Sequence, residues 1–367
     1  MVRIVSALIL SCLVAACSEK QPTAPPVPPP PDTTSHDWEF TMYEVGGLSS
    51  TLEDVSALSP DYAIAVGKMQ ETGGLPRINS YLWNGISLHP MNLPIYANDT
   101  VTIDPQNHPN TRIGETLLNA VWAFRRDNIW YSTDGAIAHL TIRGRDTSVR
   151  QETWKTIGIE KAFSGTRIWA NDTNEIYFAG LYSSVVKFAN GEWIPMHAGT
   201  EYEKAEDLFG TGKALFLVTS RYPESSFKMF RDGMWRTIWK IDDPSLSNSV
   251  EFGRPNALWG NPGEDSVWLA GLWLGRYSKM GTGLVTPLFD IHRHGYTKIR
   301  GISLNDVFFA GADGLITHYN GNTFHDFIDY MDQEIRFLSL SVVQDHVFIV
   351  GYRRWGGGVF IHGKRTR

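Results

Sequence analysis

Short apolar runs separated by polar turns recur along the chain. The stretch from Asn305 to Gly321 reads NDVFFAGADGLITHYNG, and degraded copies of it occur elsewhere, for example around Gly180 and Gly271. Each copy has an aliphatic or Trp-containing run, a polar turn, a run such as VFFAG, a further apolar run, and then NG or DG before Trp or Phe. Short aromatic and β-branched runs between Gly, Asn and Asp turns predict four antiparallel strands per copy.

The spacing of one aligned glycine indicates the architecture. Gly271, Gly311 and Gly351 are 40 residues apart each time, and Gly180 precedes Gly271 by 91, which leaves room for one more copy. Gly67 precedes Gly180 by 113, enough for one copy and a long insertion. A period of about 40–50 residues with four short strands is typical of a β-propeller blade. Seven copies align, so we expect an all-β, seven-bladed β-propeller; because the second copy is weak, six or eight blades stay open.

The two ends of the repeat array are complementary. The last copy stops at VFIHGKRTR and lacks a fourth strand, whereas DWEFTMYEV, from Asp37 to Val45, begins with the Trp expected after such a turn. We therefore expect the N-terminal strand to complete the last blade and remove its free edge. An open array of stacked repeats is the alternative.

The first residues form a leader rather than part of the fold. Arg3 is followed by an apolar run from Ile4 to Leu13, too short to cross a bilayer, and by small residues that end at Cys17. The order VAAC resembles a bacterial lipobox, which implies cleavage before Cys17 and lipidation, including palmitate, of its thiol. The alternative is an ordinary signal peptide with an incidental Cys17. Because Cys12 would be removed, the mature chain would have no disulfide, thiolate nucleophile or Cys-based metal site.

These features divide the chain into three segments. Residues 1–16 are the expected lipoprotein signal peptide, residues 17–36 a Pro-rich tether, and residues 37–367 the propeller. Proline fixes φ and favours an extended, hydrated conformation, which suits a spacer between lipid and a folded body. Ser18 follows the expected lipid-bearing Cys, whereas the inner-membrane retention signal known from enterobacteria has Asp there. We therefore expect outer-membrane anchoring in the cell envelope.

Charge argues against a polyanionic partner. The net charge is −6, and removal of residues 1–16 takes away only Arg3, which makes it −7. Lys and Arg form no sustained block, so neither nucleic acid nor an anionic lipid surface is an expected partner.

The repeat resembles uncharacterised secreted propellers of bacterial envelopes, and more loosely regulator-type, sialidase-like and photosystem-assembly-factor-like propellers. Propellers host both binding and catalysis, so the resemblance implies a fold and leaves function open. A sialidase Asp box is not matched by STDGAIAHL at Ser132, which lacks the following Trp. We expect a monomeric binding or scaffold module for an envelope protein or glycan. The alternative is a polysaccharide hydrolase or lyase acting at the propeller mouth.

Loops that join second to third strands, and loops that join blades, should surround one mouth of the channel. Their aromatic and basic side chains suit stacking and forked hydrogen bonds with a ligand. The alternative at each position is that the ring covers a blade edge. The candidate ligand-binding residues are Arg221, Tyr222, Trp273, His292, His294, Tyr296, Tyr352, Arg353, Arg354 and Trp355.

Catalytic and metal chemistry is not predicted. His292 and His294 could share a strand face, but the sequence near them offers no third metal ligand. Acidic residues in NDTNE, GED and NDV recur at turns, where capping of their own backbone accounts for them. No Ser-His-Asp set can be assembled. We expect no cofactor, no metal and no catalytic residue, and leave calcium at the acidic turns open.

Overall fold

The structure is a computed structural model. It describes residues 33–70, 78–95, 101–103, 117–144, 146–159, 164–199, 203–212, 214–221, 224–241, 255–261, 266–271, 274–278, 285–287, 295–331 and 333–366. The expected signal peptide, Cys17 and most of the tether lie outside these ranges. Among the described residues, no helix is long and apolar enough to span a membrane.

Within the ranges just given, the regular structure is strand, apart from two single-turn 3-10 helices at Ala312–Gly314 and Ile328–Tyr330. In chain order the strands are β1 Trp38–Val45, β2 Thr51–Ser59, β3 Tyr62–Met69, β4 Ile78–Trp83, β5 Leu88–Met91, β6 Val101–Ile103, β7 Ala120–Arg125, β8 Asn128–Ser132, β9 Ala136–Arg143, β10 Asp146–Thr153, β11 Gly165–Asp172, β12 Glu175–Gly180, β13 Ser184–Ala189, β14 Glu192–His197, β15 Lys204–Gly210, β16 Leu215–Arg221, β17 Glu224–Arg231, β18 Met234–Ile241, β19 Pro255–Gly260, β20 Ser266–Gly271, β21 Leu274–Ser278, β22 Val285–Pro287, β23 Tyr296–Ser303, β24 Asp306–Gly311, β25 Ile316–Tyr319, β26 Phe324–Phe327, β27 Ile335–Val343, β28 His346–Arg353 and β29 Gly358–Arg365.

Within the described residues these strands form seven antiparallel sheets. Sheet I is β2-β3-β4-β5, sheet II is β7-β8-β9-β10 with β6 outermost, and sheets III, IV, V and VI are the consecutive quartets from β11 to β26. Sheet VII has the order β27-β28-β29-β1, so its outermost strand comes from the start of the described chain. The strands at the opposite edge of each sheet from β5, β6, β14, β18, β22, β26 and β1 are here called the first strands. They contact one another in the cyclic order β2, β7, β11, β15, β19, β23, β27 and back to β2. The prediction of an all-β propeller is confirmed.

The turns follow the sequence pattern. Asn190 and Gly191 both have positive φ between β13 and β14, as do Asp232 and Gly233 between β17 and β18. This is the backbone of the tight hairpin that NG and DG predict. The aligned glycines lie at the end of the second strand of their sheets or two residues before it; at Gly351 an added Cβ would lie 2.0 Å from the Arg336 carbonyl oxygen. Only glycine allows this approach between the first two strands.

A β-bulge recurs near the start of the first strand. In six sheets the pairing register between the first and second strands shifts by one residue at this point, as between Ala205 and Asp207 in sheet IV. A bulge adds one residue, increases the local twist and redirects the following side chains. The side chains that follow the bulge are therefore displaced in the same way in all six of these strands.

Strand β1 pairs with β29 over eight residues, from Trp38 opposite Arg365 to Val45 opposite Gly358. Trp38 is buried, its ring lies 4.7 Å from that of Phe308 in sheet VI, and the Arg365 guanidinium lies 4.6 Å from the Trp38 ring centroid. The residues before β1 also contact sheet VI, since His36 Nδ1 lies 2.9 Å from His318 Nδ1. The N-terminal segment thus pairs with sheet VII and packs against sheet VI.

A buried carboxylate links sheets IV, V and VI. Asp207 on β15 is fully buried; its oxygens accept from Lys298 Nζ at 2.7 Å, from Arg300 at 3.1 and 3.2 Å, and from the Leu258 backbone N–H at 3.1 Å. Burial alone would raise the pKa of Asp207, but Arg300 and Lys298 together hold it well below its usual range. Burial and the Arg300 charge lower the pKa of Lys298 to about 7, although Asp207 opposes this. Through these hydrogen bonds the Asp207 carboxylate holds β15, β19 and β23 together.

We expect Asp207→Asn to lower the free energy of unfolding by about 3–5 kcal/mol, because it leaves buried Lys298 without its counter-ion. Urea unfolding of the full chain followed by tryptophan fluorescence measures this loss. Asp232→Asn is the matched control, since Asp232 has a side chain 72% exposed and should change stability by less than about 0.5 kcal/mol. Adding Lys298→Met to Asp207→Asn should restore part of the loss. Equal stability of the two single variants would contradict this role.

Candidate binding site in the central channel

The first strands line a channel whose side chains form layers. The outermost layer, here called the mouth ring, surrounds a cavity of about 260 Å³ at the end where these strands begin. Each sheet contributes one residue, at the bulge in six sheets and just before β7 in sheet II. The mouth ring consists of Glu53, Asn119, Thr166, Glu206, Asn256, Thr297 and Leu338.

Charged side chains beside the mouth ring are partly fixed. Arg167 Nε donates to the Glu206 carbonyl oxygen at 2.6 Å, and Lys204 Nζ donates to Glu206 Oε2 at 3.1 Å. Arg336 is exposed on the same cavity. Burial raises the pKa of the Glu53 carboxyl, and the nearby charges of Arg167 and Lys204 oppose that shift only in part. The mouth therefore presents cationic donors around an acid that resists ionisation.

An ion layer lies directly beneath the mouth ring. It contains Asp54, Arg167, Asp207 and Lys298, each one residue beyond the bulge of its sheet. Asp54 accepts from the Val121 backbone N–H at 3.0 Å, and its other oxygen accepts from a serine of β27. Asp207 on β15 is thus satisfied by Lys298 on β23, with β19 between their strands, whereas Asp54 is satisfied by uncharged donors.

Two residues further along the first strands, four aromatic side chains follow in succession. Trp122, Trp169, Phe209 and Trp259 come from sheets II, III, IV and V and are here called the aromatic arc. Ser56, Arg300 and Ser341 take the corresponding position in sheets I, VI and VII. The aromatic arc and these three polar residues line a second cavity, of about 230 Å³. One half of this wall is aromatic and the other half is polar.

The arrangement suits binding better than bond-making. The buried acids of the ion layer are engaged by cations or backbone amides, so neither is placed as a general base. Among the described residues, no three His, Cys, Asp or Glu side chains are grouped to hold a metal ion. The cavity beside the aromatic arc combines an apolar wall with polar and charged side chains opposite, which can orient a small ligand.

Three candidate residues from the sequence lie where β28 turns towards β29, Arg353 at the end of β28 and the other two in the loop. Arg353 Nε donates to Glu44 Oε1 at 2.6 Å and its Nη1 donates to the Gln333 carbonyl oxygen at 3.0 Å. The Arg354 guanidinium lies 5.5 Å from the ring centroid of Trp355, which is 78% exposed. Tyr352 is half-buried at the end of β28. The structure therefore brings Arg353, Arg354 and Trp355 together at the end of sheet VII where β27 begins.

The remaining candidates are distributed differently. Tyr296 is only 3% exposed and its hydroxyl lies 3.2 Å from Thr317 Oγ1, so its ring is packed inside sheet VI and cannot stack on a ligand. The structure therefore contradicts the prediction that Tyr296 is a ligand-binding residue. Arg221 is exposed at the end of β16. The other candidates lie outside the described residues: Tyr222, Trp273, His292 and His294.

Sequence reasoning missed the aromatic arc and the ion layer. The aromatic residues occur at one repeated position, as in RIWAND, DLFGT and ALWGN, directly before the first turn of each copy. Period-two alternation places that position on the same side of a strand as the residue two before it. The recurring aromatic position is visible in the sequence, but the repeat alone does not tell which side of the first strand faces the channel.

Comparison with known proteins gives the fold. No family model matches the chain, and no curated protein matches it. Three similar solved structures are YCF48 bound to D1 peptide (15% identity, TM-score 0.61, 92% of this chain and 99% of that chain), YCF48 from Cyanidioschyzon merolae (13%, 0.59, 89% and 98%) and the WD40 β-propeller domain of Doa1 (10%, 0.57, 90% and 98%). At these identities the likeness shows a β-propeller fold.

Proposed function

We propose that this chain is a lipid-anchored propeller of the cell envelope that binds a protein partner and acts as a scaffold. The proposal has three parts: a closed ring, a binding face on that ring, and an anchor. Each is supported by a different set of residues.

The proposed ring has seven blades, sheets I to VII, and β1 closes it. The pairing of β1 with β29 and the cyclic contacts of the seven first strands support this part. A closed ring protects the short inner edges of its sheets and is a rigid platform, which lowers the entropy cost of binding.

The binding face is the one that carries the mouth ring and the β28–β29 loop. The observation that carries the proposal is Trp355, which has φ of 71° and is 78% exposed, while Arg353 fixes the loop around it. A left-handed backbone at a bulky residue costs about 1–3 kcal/mol, and such strain concentrates at ligand-binding sites. Exposed Leu48, Tyr182 and Ile328 lie in other loops at the same ends of their sheets. Trp and Arg dominate the energetics of protein interfaces.

The solved structure of YCF48 bound to D1 peptide supports a protein partner, because it is a similar propeller with a peptide bound. A polysaccharide-acting enzyme is not favoured by a specific observation among the described residues. The proposed anchor is supported by the sequence VAAC, which ends at Cys17, and by the Pro-rich tether, and Ser18 favours the outer membrane.

Lipidation is tested by metabolic labelling with an alkyne analogue of palmitate in bacteria that produce the full chain. We expect label on the native chain and on Cys12→Ala, because Cys12 lies in the removed leader, and none on Cys17→Ala. A native chain without label, or label that persists in Cys17→Ala, would exclude the anchor.

The binding face is tested by a photo-crosslinking amino acid placed at Trp355 in the full chain in its host cells. We expect a discrete protein adduct there, and none with the same amino acid at Ile86, which is 84% exposed in the turn between β4 and β5 at the opposite ends of the strands. Trp355→Ala should then weaken binding of the purified partner about tenfold or more, as for an interface hot spot. Equal adducts at both positions, or none at Trp355, would refute the assignment.

A further inference from the structure

The cavity beside the aromatic arc is a site separate from the binding face. It lies in the half of the channel where the first strands approach their turns to the second strands, and it is lined by residues of all seven first strands. Its volume of about 230 Å³ is below the roughly 300–1,000 Å³ of pockets for drug-sized ligands. An occupant would therefore be about one ring in size.

The aromatic half of the wall is built by contacts between neighbouring sheets. An added Cβ at Gly210 would lie 2.2 Å from Trp169 Cη2, and one at Gly301 would lie 2.9 Å from Trp259 Cη2. Each indole thus lies against the glycine of the next first strand, along the channel wall. The Phe209 centroid is 5.9 Å from that of Trp169 and 6.1 Å from that of Trp259. The result is a continuous curved apolar surface.

The opposite half of the wall carries hydrogen-bond donors. Ser56 Oγ accepts from the Ala123 backbone N–H at 3.0 Å, and Ser341 Oγ accepts from the Ala57 backbone N–H at 3.1 Å. A hydroxyl that accepts still has its own proton to donate. Within the described part of the chain, neither serine proton has an acceptor. Arg300 is held beside them by Asp207.

The two halves select the chemistry of the occupant. A purely apolar ring would leave the serine donors buried and unpaired, which costs binding free energy. A cation is disfavoured because Lys298, Arg300 and Arg167 line the same cavity, whereas the oxygens of Asp54 already accept two hydrogen bonds. A neutral ring with an apolar face and a rim of hydroxyl acceptors satisfies both halves.

We propose that this cavity binds a single pyranose ring, with its C–H face on the aromatic arc and its hydroxyls toward Ser56, Ser341 and Arg300. The ring can belong to a free monosaccharide or to the end of a glycan, since the recognised chemistry is the same. The site is distinct from the proposed protein-binding face, because Arg167 is the one residue of its lining that also lines the mouth cavity within the described part of the chain.

The full chain in mild detergent is titrated with glucose, galactose, mannose and N-acetylglucosamine, with intrinsic fluorescence and saturation-transfer NMR as readouts. Three comparators isolate the chemistry: sorbitol has the hydroxyls without the ring, cyclohexanol has a ring with one hydroxyl, and p-cresol represents a tyrosine side chain. We expect at least one pyranose to bind about tenfold more tightly than every comparator. Comparison of that sugar with its β-1,4-linked oligomer distinguishes a free sugar from a glycan end.

Two variants locate the bound sugar. Trp259→Leu should weaken binding about tenfold by removing the stacking surface, and Ser341→Ala about threefold by removing one donor. Trp193→Phe is the control, because Trp193 lies on outer strand β14 away from the cavity. Should Trp259→Leu lose its native circular dichroism, Ser341→Ala decides alone.

Binding of no pyranose, tighter binding of p-cresol, or unchanged affinity in a folded Ser341→Ala would each overturn the proposal. These outcomes leave the photo-crosslinking result at Trp355 unaffected, so the two sites are judged separately.

Discussion

The antiparallel pairing of β1 with β29 is the interaction on which the rest of the structure depends. Without β1, the outer edge of β29 would present a row of unpaired backbone groups, which is an aggregation hazard. The pairing also seats Trp38 against sheet VI, where Arg365 donates to Asp306 Oδ2 at 2.5 Å. His318 Nε2 contacts the other oxygen of Asp306 at 2.8 Å. The start and the end of the described chain thus fix the position of sheets VI and VII relative to each other.

The repeated bulge places the side chains of the first strands in layers along the channel. Because the same register shift occurs in six sheets, the residues after it point into the channel at the same height. The ion layer brings Asp207 of sheet IV within hydrogen-bonding distance of Lys298 of sheet VI. The rings of the aromatic arc lie where a glycine of the next first strand leaves room for them. Beside Trp122 the corresponding residue of the next strand is Ala170, and Trp122 is more exposed than Trp169.

Much of the fold could be predicted from local patterns. The aligned glycines, the NG and DG turns and the incomplete last copy each depend on a few neighbouring residues, and the structure shows the backbone conformations that those residues favour. The site was less predictable because its members come from different sheets. Asp207 and Lys298 are 91 positions apart, and no linear motif joins them. Tyr296 follows a polar stretch and was expected in a loop, yet it begins β23 and is buried.

The pairing of β1 with β29 is tested most directly by a disulfide in place of an opposed pair. Glu39 lies opposite Lys364 and both are exposed, so in a chain with Cys12 and Cys17 replaced by Ser, the changes Glu39→Cys and Lys364→Cys should crosslink on mild oxidation. Thr41→Cys with Lys364→Cys is offset by two residues, about 7–8 Å, and should stay reduced. We predict efficient crosslinking and a raised melting temperature for the first pair only. Absence of that crosslink, or equal crosslinking of both pairs, would contradict the ring joined by its N-terminal strand.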